Sequence, residues 1–194
     1  VTKTVVLAST SPRRAELLRQ IGIPYRIMPV RTDEEVFADL PASERTVRLA
    51  KEKVAALLDG YPGAEIPWVI GADTMLEFQG RMIGKPASRQ EAEEFLRLLS
   101  GSTHLAITGV VLRNGETASL DAGYSVTEVT MASLSEQEIQ WYLGTEEWDG
   151  VAGGYRIQEK GACLVERISG CYSTVVGLPL RLIYGMLMNN GYPF

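Results

Sequence analysis

Histidine is almost missing from this 194-residue chain, with His104 the only one, and cysteine is limited to Cys163 and Cys171. A single imidazole excludes a multi-histidine metal centre and turns attention away from histidine-centred catalysis. The two thiols lack the spacing of a metal or redox pair, and two thiols in a chain this long fit a reducing cytoplasm with no disulfide requirement. No apolar run is long enough to span a bilayer, and the first residues lack the charged-then-apolar pattern of a signal peptide. The expected location is therefore cytoplasmic. A broad basic face is lacking too: 19 Lys and Arg stand against 24 Asp and Glu, a net charge of −5. That argues against nucleic acid or an anionic membrane as the main partner and makes any basic site local. Three signatures are also absent. No Gly-x-x-x-x-Gly-Lys-Ser/Thr loop argues against a P-loop enzyme, no Gly-x-Gly-x-x-Gly after the first strand against a dinucleotide site, and no Gly-x-Ser-x-Gly against the usual α/β hydrolase. There is no internal repeat, low-complexity tract or flexible linker.

What is present is ordinary for a globular protein: 45% hydrophobic and 22% charged residues, with length enough for one domain or two small lobes. Periodicity predicts a buried strand at Thr4–Leu7, a helix capped by Ser11 that stops near Gly22 and Pro24, and a strand at Tyr25–Met28. A helix is expected from about Ser43, with Val47, Leu49, Ala50, Val54, Leu57 and Leu58 inward, and a break at residues 59–63. Trp68–Ala72 reads as an interior strand ending in Asp73-Thr74. A hairpin turn is expected at Gln79-Gly80. Ser88 with Glu91, and Ser135 with Glu138, have the spacing of helix-starting capping boxes. Between those helices lie two period-two runs, His104–Leu112 and Thr117–Met131, around a turn at Asn114-Gly115, with Tyr124, Val126 and Val129 expected inward. Tyr155–Gln158 and Ala162–Val165 read as short extended pieces, and a last helix runs from about Pro179 to Asn190. The fold class is α/β, parallel at its heart, with a long hairpin added. Trp68, Trp141 and Trp148 are expected in the core, and the two cysteines as buried small apolar residues.

The stretch Leu7-Ala8-Ser9-Thr10-Ser11-Pro12-Arg13-Arg14 is a strand-to-helix turn with an odd charge. A helix N-terminus is already positive, so carboxylates are favoured in its first turn. Two guanidiniums, several hydroxyls and backbone N–H groups there suit an anion, with phosphate the obvious candidate. The alternative is a solvated turn whose arginines pair with acidic neighbours. Asp73 stands out because α/β folds place catalytic groups at the carboxyl ends of apolar strands; a turn-capping aspartate is the plain alternative. With Asp73, the acidic run Asp33-Glu34-Glu35 offers oxygen ligands to a hard divalent cation, although Asp33 and Glu35 read better as a solvated loop. Lys53 and Lys85 are further candidate phosphate cations, Lys85 held between Gly84 and Pro86. Gln158 carries a donor and an acceptor side by side, a complement to the imide edge of uracil or thymine, but by chemistry alone it reads as a strand glutamine bonded to backbone. His104 reads as structural.

The ordered set Ala8-Ser9-Thr10-Ser11-Pro12-Arg13-Arg14, Gly71-Ala72-Asp73-Thr74, Gly84-Lys85-Pro86, Leu98-Leu99-Ser100-Gly101, Tyr155 with Ile157-Gln158, and Val176-Gly177-Leu178-Pro179 resembles the Maf family of nucleoside triphosphate pyrophosphatases over nearly the whole chain. Gln158, with Arg13 and Thr74, resembles the branch acting on dTTP and UTP more than the branch acting on 7-methyl-GTP. The resemblance implies one Maf-like domain over residues 1–194: a mixed twisted sheet flanked by helices, two lobes around a central cleft, like inosine triphosphate pyrophosphatase. It implies hydrolysis between the α- and β-phosphates of dTTP or UTP, or of modified pyrimidine nucleotides, to a monophosphate and pyrophosphate. A divalent cation (Mg2+, Mn2+ or Co2+) is implied as cofactor, and a homodimer as the assembly. Asp73 matches the family's proton acceptor. Arg13, Thr74 and Gln158 match its specificity positions. Glu34, Lys53 and Lys85 match positions tied to metal and phosphate, with Glu34 and Asp73 the metal ligands and Ser9, Ser11 and Arg14 on the substrate. A non-hydrolysing nucleotide-binding regulator of cell division is the alternative the same residues would serve. The family commonly reads Ala-Gly-Ala-Tyr-Gly-Ile-Gln-Gly around the glutamine. Here Arg156 and Glu159 stand where those glycines would, which bears on the local backbone and on the choice of base.

Overall fold

The computed structural model describes residues 3–33, 36–61 and 66–194. In chain order the elements are β1 (Val5–Ala8), α1 (Pro12–Gln20), β2 (Tyr25–Ile27), α2 (Ala42–Gly60), β3 (Trp68–Phe78), β4 (Arg81–Ile83), α3 (Arg89–Leu99), β5 (Thr103–Asn114), β6 (Ser119–Met131), α4 (Glu136–Leu143), β7 (Val165–Ser169), α5 (Tyr172–Val176) and α6 (Leu180–Asn189). Two 3-10 turns, Ala152–Gly154 and Glu159–Leu164, lie between α4 and β7. Seven strands form one mixed sheet flanked by helices, in the order β2-β1-β3-β5-β6-β7, with β4 paired to β3. β1 runs parallel to β2 and to β3, whereas β4 is antiparallel to β3 and β7 to β6. The parallel heart and the hairpin at Gln79-Gly80 are as expected; both turn residues have positive φ, as in a type I′ two-residue hairpin. Among the described residues no helix is long and apolar enough to cross a membrane. The chain divides into two compact units, one of Val1–Thr74, Thr108–Ser125 and Gly177–Phe194, the other of Met75–Ile107 and Val126–Val176.

In the first unit β1 is buried along its whole length, as an interior parallel strand must be. Its residues Val6 and Ala8 share a core with Ala50, Val54 and Leu57 of α2, Val69 of β3 and Val111 of β5. Two glycines let α2 approach closely. A Cβ on Gly71 would lie 2.3 Å from the Ala50 carbonyl oxygen and 2.8 Å from a Val54 methyl, and one on Gly109 would lie 2.4 Å from the Thr46–Val47 peptide. Helix backbone therefore rests directly on strand backbone at both points. Trp68 is buried with its ring edge-on to Tyr192.

The second unit has its own core, with Leu76 and Phe78 from β3, Leu96 and Leu99 from α3, Val129 and Met131 from β6, and Ile139, Tyr142 and Leu143 from α4. The Ser135–Glu138 capping box forms in full. At α3 only half of the expected box forms: Ser88 accepts from the Glu91 N–H, while the Glu91 carboxylate takes the Ala87 N–H instead.

Several expectations need correction. Tyr124 and Val126 are exposed and only Val129 is buried. Strand side chains alternate, so residues 124 and 126 cannot share a face with 129. Trp141 is exposed because α4 buries the face made by Ile139, Tyr142 and Leu143. Cys163 is exposed and Cys171 half-buried, so neither is a core residue. Ala162–Leu164 is a 3-10 turn rather than a strand, and pairing with β6 begins only at Val165.

Candidate active site

The sharpest feature of the first unit is an ion pair. Lys53 Nζ lies 2.5 Å from Asp73 Oδ1, with the Lys53 side chain only 11% and the Asp73 side chain only 9% exposed. Burying two charges is costly unless they meet in good geometry. The pair is set up by the backbone approach at Gly71: α2 lies against β3 there, and Lys53, adjacent to Val54 on α2, reaches over to the residue two beyond Gly71. Lys53 also reaches the Ala72 carbonyl, at 3.4 Å. Asp73 is not at a strand end as expected. β3 continues to Phe78, because Leu76, Glu77 and Phe78 pair with β4 across the hairpin. The carboxylate is thus held mid-strand, on backbone fixed on both sides.

The strand-to-helix turn is organised by Arg14. Its Nε donates to the Gly177 carbonyl at 2.7 Å, Nη1 to Ser9 Oγ at 3.2 Å, and Nη2 to Thr74 Oγ1 at 3.0 Å. Thr74 Oγ1 lies 2.9 Å from Thr108 Oγ1. Ser11 occupies the N-cap position of α1, but its side chain makes no capping hydrogen bond, and its N–H donates to Ser9 Oγ at 3.1 Å. α1 has no acidic residue in its first turn, so its positive N-terminal end is not offset from within the helix. Arg13 is half-buried there.

In the second unit, the turn bearing Lys85 and the segment leading to Gln158 are tied together. The Gly153 N–H donates to the Gly84 carbonyl at 2.9 Å. Tyr155 is buried, with its hydroxyl 2.7 Å from His104 Nε2, and the Arg156 N–H donates to the Tyr142 hydroxyl at 3.0 Å. Burial pushes His104 down to about 4, so its imidazole is neutral at ordinary pH. Burial pushes the Tyr142 phenol up to about 12, and Tyr155 is also raised by burial, so both stay protonated. Gln158 is half-buried and Lys85 exposed. Arg156 sends its guanidinium to the Asp149 carbonyl at 3.2 Å. Glu159 has φ 64°, so the chain keeps the left-handed conformation a glycine would favour at that position.

The Maf-like protein family model matches residues 4–190. The chain belongs to the Maf family. Among Maf-family relatives, the protein named dTTP/UTP pyrophosphatase of Symbiobacterium thermophilum is 47% identical over 190 residues, covering 97% of this chain and 95% of that one. The protein of the same name from Bacillus velezensis is 44% identical over 180 residues, covering 93% of each chain. That of Pelotomaculum thermopropionicum is 41% identical over 190 residues, covering 98% of each. The solved Staphylococcus aureus Ham1 protein aligns with 68% of this chain and 73% of its own at 16% identity and a TM-score of 0.39, a likeness too slight to bear on the site.

Of the residues that match Maf motifs, the structure joins Ser9, Arg14 and Thr74 through one guanidinium, and Lys53 to Asp73. Lys85 and Gln158 lie in the other unit, each on anchored backbone. Glu34 lies outside the described residues. Sequence reasoning missed Thr108, whose only signal was a lone hydroxyl in an otherwise apolar strand run, and Tyr142, whose hydroxyl accepts from the Arg156 N–H. Among the described residues no three His, Cys, Asp or Glu side chains cluster to hold a metal. The donor set still suits one kind of cation. Mg2+ commonly takes one or two protein carboxylates and completes its shell with substrate phosphates and water, and Asp73 supplies one such carboxylate.

Proposed function

We propose that this protein is a nucleoside triphosphate pyrophosphatase acting on dTTP and UTP. The observation that carries the reading is the full-length match to relatives of that name at 41–47% identity. The first unit offers chemistry suited to the reaction. Water attacks the α-phosphorus in line, the bond to the bridging α–β oxygen breaks, and pyrophosphate leaves with the electron pair while the monophosphate remains. Asp73 takes the proton of the attacking water, and Lys53 holds that carboxylate in one orientation. Ser9, Ser11, Arg13 and the N-terminus of α1 receive the triphosphate, with Lys85 a further cation for it. Arg13, Thr74 and Gln158 select the nucleotide. Asp73, with Glu34, would hold a divalent cation (Mg2+, Mn2+ or Co2+). Such a cation draws charge off the triphosphate when bound.

The protein further reads as one Maf-like domain over residues 1–194, cytoplasmic and homodimeric in solution; sedimentation of the purified chain tests the dimer. The test of the activity is a panel of ordinary and modified nucleoside triphosphates assayed for pyrophosphate with Mg2+, Mn2+ and Co2+. The expected result is release fastest from dTTP and UTP. Tight dTTP binding with no pyrophosphate under any of the three metals would overturn the enzyme reading in favour of a nucleotide sensor.

A further inference from the structure

We propose that Glu147, together with Tyr142, is a positioning residue for Gln158: the two side chains clamp the feet of the loop that carries it and so aim its amide at the base of the substrate. The proposal rests on the nucleotide-hydrolase reading and names how one of its specificity positions is held. Glu147 is a buried carboxylate that the chemistry at Asp73 does not use. Its Oε2 accepts the Gly161 N–H at 3.3 Å, and its Oε1 lies 3.8 Å from Nζ of Lys160, whose side chain is 57% exposed. Burying a charge is costly unless it is paired or well bonded. A carboxylate kept inside for one backbone N–H and one distant, solvated ammonium points to a need for a strong acceptor at that spot, since a bond to an ionised acceptor is about twice as strong as a neutral one. Tyr142 plays the matching part at the other foot of the loop. It is fully buried, and its hydroxyl oxygen accepts the Arg156 N–H at 3.0 Å. In both bonds the donor is a backbone N–H, so the direction of each is fixed.

The two acceptors share one base. The Glu147 N–H donates to Thr145 Oγ1 at 3.2 Å, and that hydroxyl donates to the Tyr142 carbonyl at 2.7 Å. The loop they hold is pinched shut. A Cβ on Gly161 would lie 1.8 Å from the Arg156 carbonyl oxygen, so the backbone of residue 161 presses on that of residue 156. Ile157 is buried, and Glu159 turns the chain at φ 64°. Gln158, half-buried, is the residue between these fixed points. Its amide offers one donor and one acceptor side by side, which must meet a base edge in the right order. Misplacing such a contact by about an ångström can cost about a hundredfold in rate.

The test compares Glu147→Met, Glu147→Gln and Tyr142→Phe in the full-length protein, each alone and each combined with Gln158→Ala. Turnover, KM and dissociation constants are measured for dTTP and dATP, with thermal melts as the folding control. Glu147→Met, which keeps the length and loses the acceptor, is expected to lower kcat/KM for dTTP about tenfold and to leave the slower reaction of dATP unchanged. Glu147→Gln, which keeps an oxygen for the Gly161 N–H, should recover part of the dTTP rate. Once Gln158 is alanine, Glu147→Met should change neither substrate more than about twofold, since residues that act through one group are not additive. A merely structural role would lower dTTP and dATP together and persist in the Gln158→Ala background, and either result would overturn the proposal. A Glu147→Gln chain as slow as Glu147→Met would place the effect in the charge and not in the bond, and would overturn it too. Should Glu147→Met fail to fold, Tyr142→Phe decides the case: an unchanged preference for dTTP over dATP sinks it. Equal pyrophosphate release from dTTP and dATP by the wild type would defeat the proposal and leave the activity standing. A wild type that binds dTTP but releases no pyrophosphate would defeat the enzyme reading alone, because the same comparison is read on the dissociation constants.

Discussion

Lys53 and Asp73 form a contact of 2.5 Å between two charges whose side chains are each about nine-tenths buried. Removing either partner strands the other charge in a poorly solvated place, which typically costs about 3–5 kcal/mol. Lys53→Met and Asp73→Asn are each expected to lower the urea midpoint by a corresponding amount. Asp73→Asn should also keep dTTP binding and lose most pyrophosphate release, because the shape stays and the base goes. The chain carrying both Lys53→Met and Asp73→Leu should recover much of the lost stability with no activity. Single variants that unfold at the wild-type midpoint would contradict the pair's role.

Glu159 sits at φ 64° without being glycine. An L residue held in the left-handed region costs about 1–2 kcal/mol, and the extra freedom of glycine in the unfolded chain returns about 0.5–1 kcal/mol of that. Glu159→Gly is therefore expected to stabilise the protein by roughly 0.5–1 kcal/mol, read from urea unfolding, whereas Glu159→Ala, which keeps a Cβ, should gain nothing. Equal effects from both would show that the gain came from removing the carboxylate.

His104 gives the stability a pH dependence of known sign. Its pKa falls from about 6.5 to about 4 on burial, so the folded chain prefers the neutral ring. The unfolded chain takes up the proton first as pH drops. The contribution is whole above pH 6.5 and is lost as pH falls through the window down to 4, by about 3 kcal/mol in total. The difference between the stability–pH curves of wild type and His104→Gln should show that slope between pH 6.5 and 4 and be flat above. A flat difference throughout would mean that the ring titrates in the folded chain as it does in the unfolded one.

Local periodicity and capping made most of this fold legible. β1, α1, α2, α4 and α6 lie where the apolar spacing and the residues Ser11, Ser135 and Pro179 placed them. What was not legible depends on distance along the chain. The ligands of Arg14 lie 5, 60 and 163 residues away, and no pattern in a short window relates them. Asp73-Thr74 looked like the end of a strand because polar residues usually interrupt apolar runs. The strand continues because each of the two polar side chains found a partner, Lys53 and Arg14. Tyr124, Val126 and Trp141 misled in the opposite direction, since an apolar side chain on a sheet or helix face that nothing covers has the same letters as a buried one.

Gly71 shows how the site depends on close backbone packing. A methyl there would meet the Ala50 carbonyl oxygen at 2.3 Å, and at Gly109 it would meet the Thr46–Val47 peptide at 2.4 Å. Neither neighbour is a flexible side-chain end, so α2 must move in both cases, at a cost of about 1–3 kcal/mol for overpacking. The functional consequences should differ. Residue 71 presses on Ala50 and Val54, the turn that carries Lys53, while residue 109 presses about two turns earlier. Gly71→Ala is expected to lower pyrophosphate release at least tenfold more than Gly109→Ala when the two are matched for stability, because displacing Lys53 by an ångström unseats its contact with Asp73. Equal losses in the two variants would mean that turnover follows global stability and not the placement of Lys53.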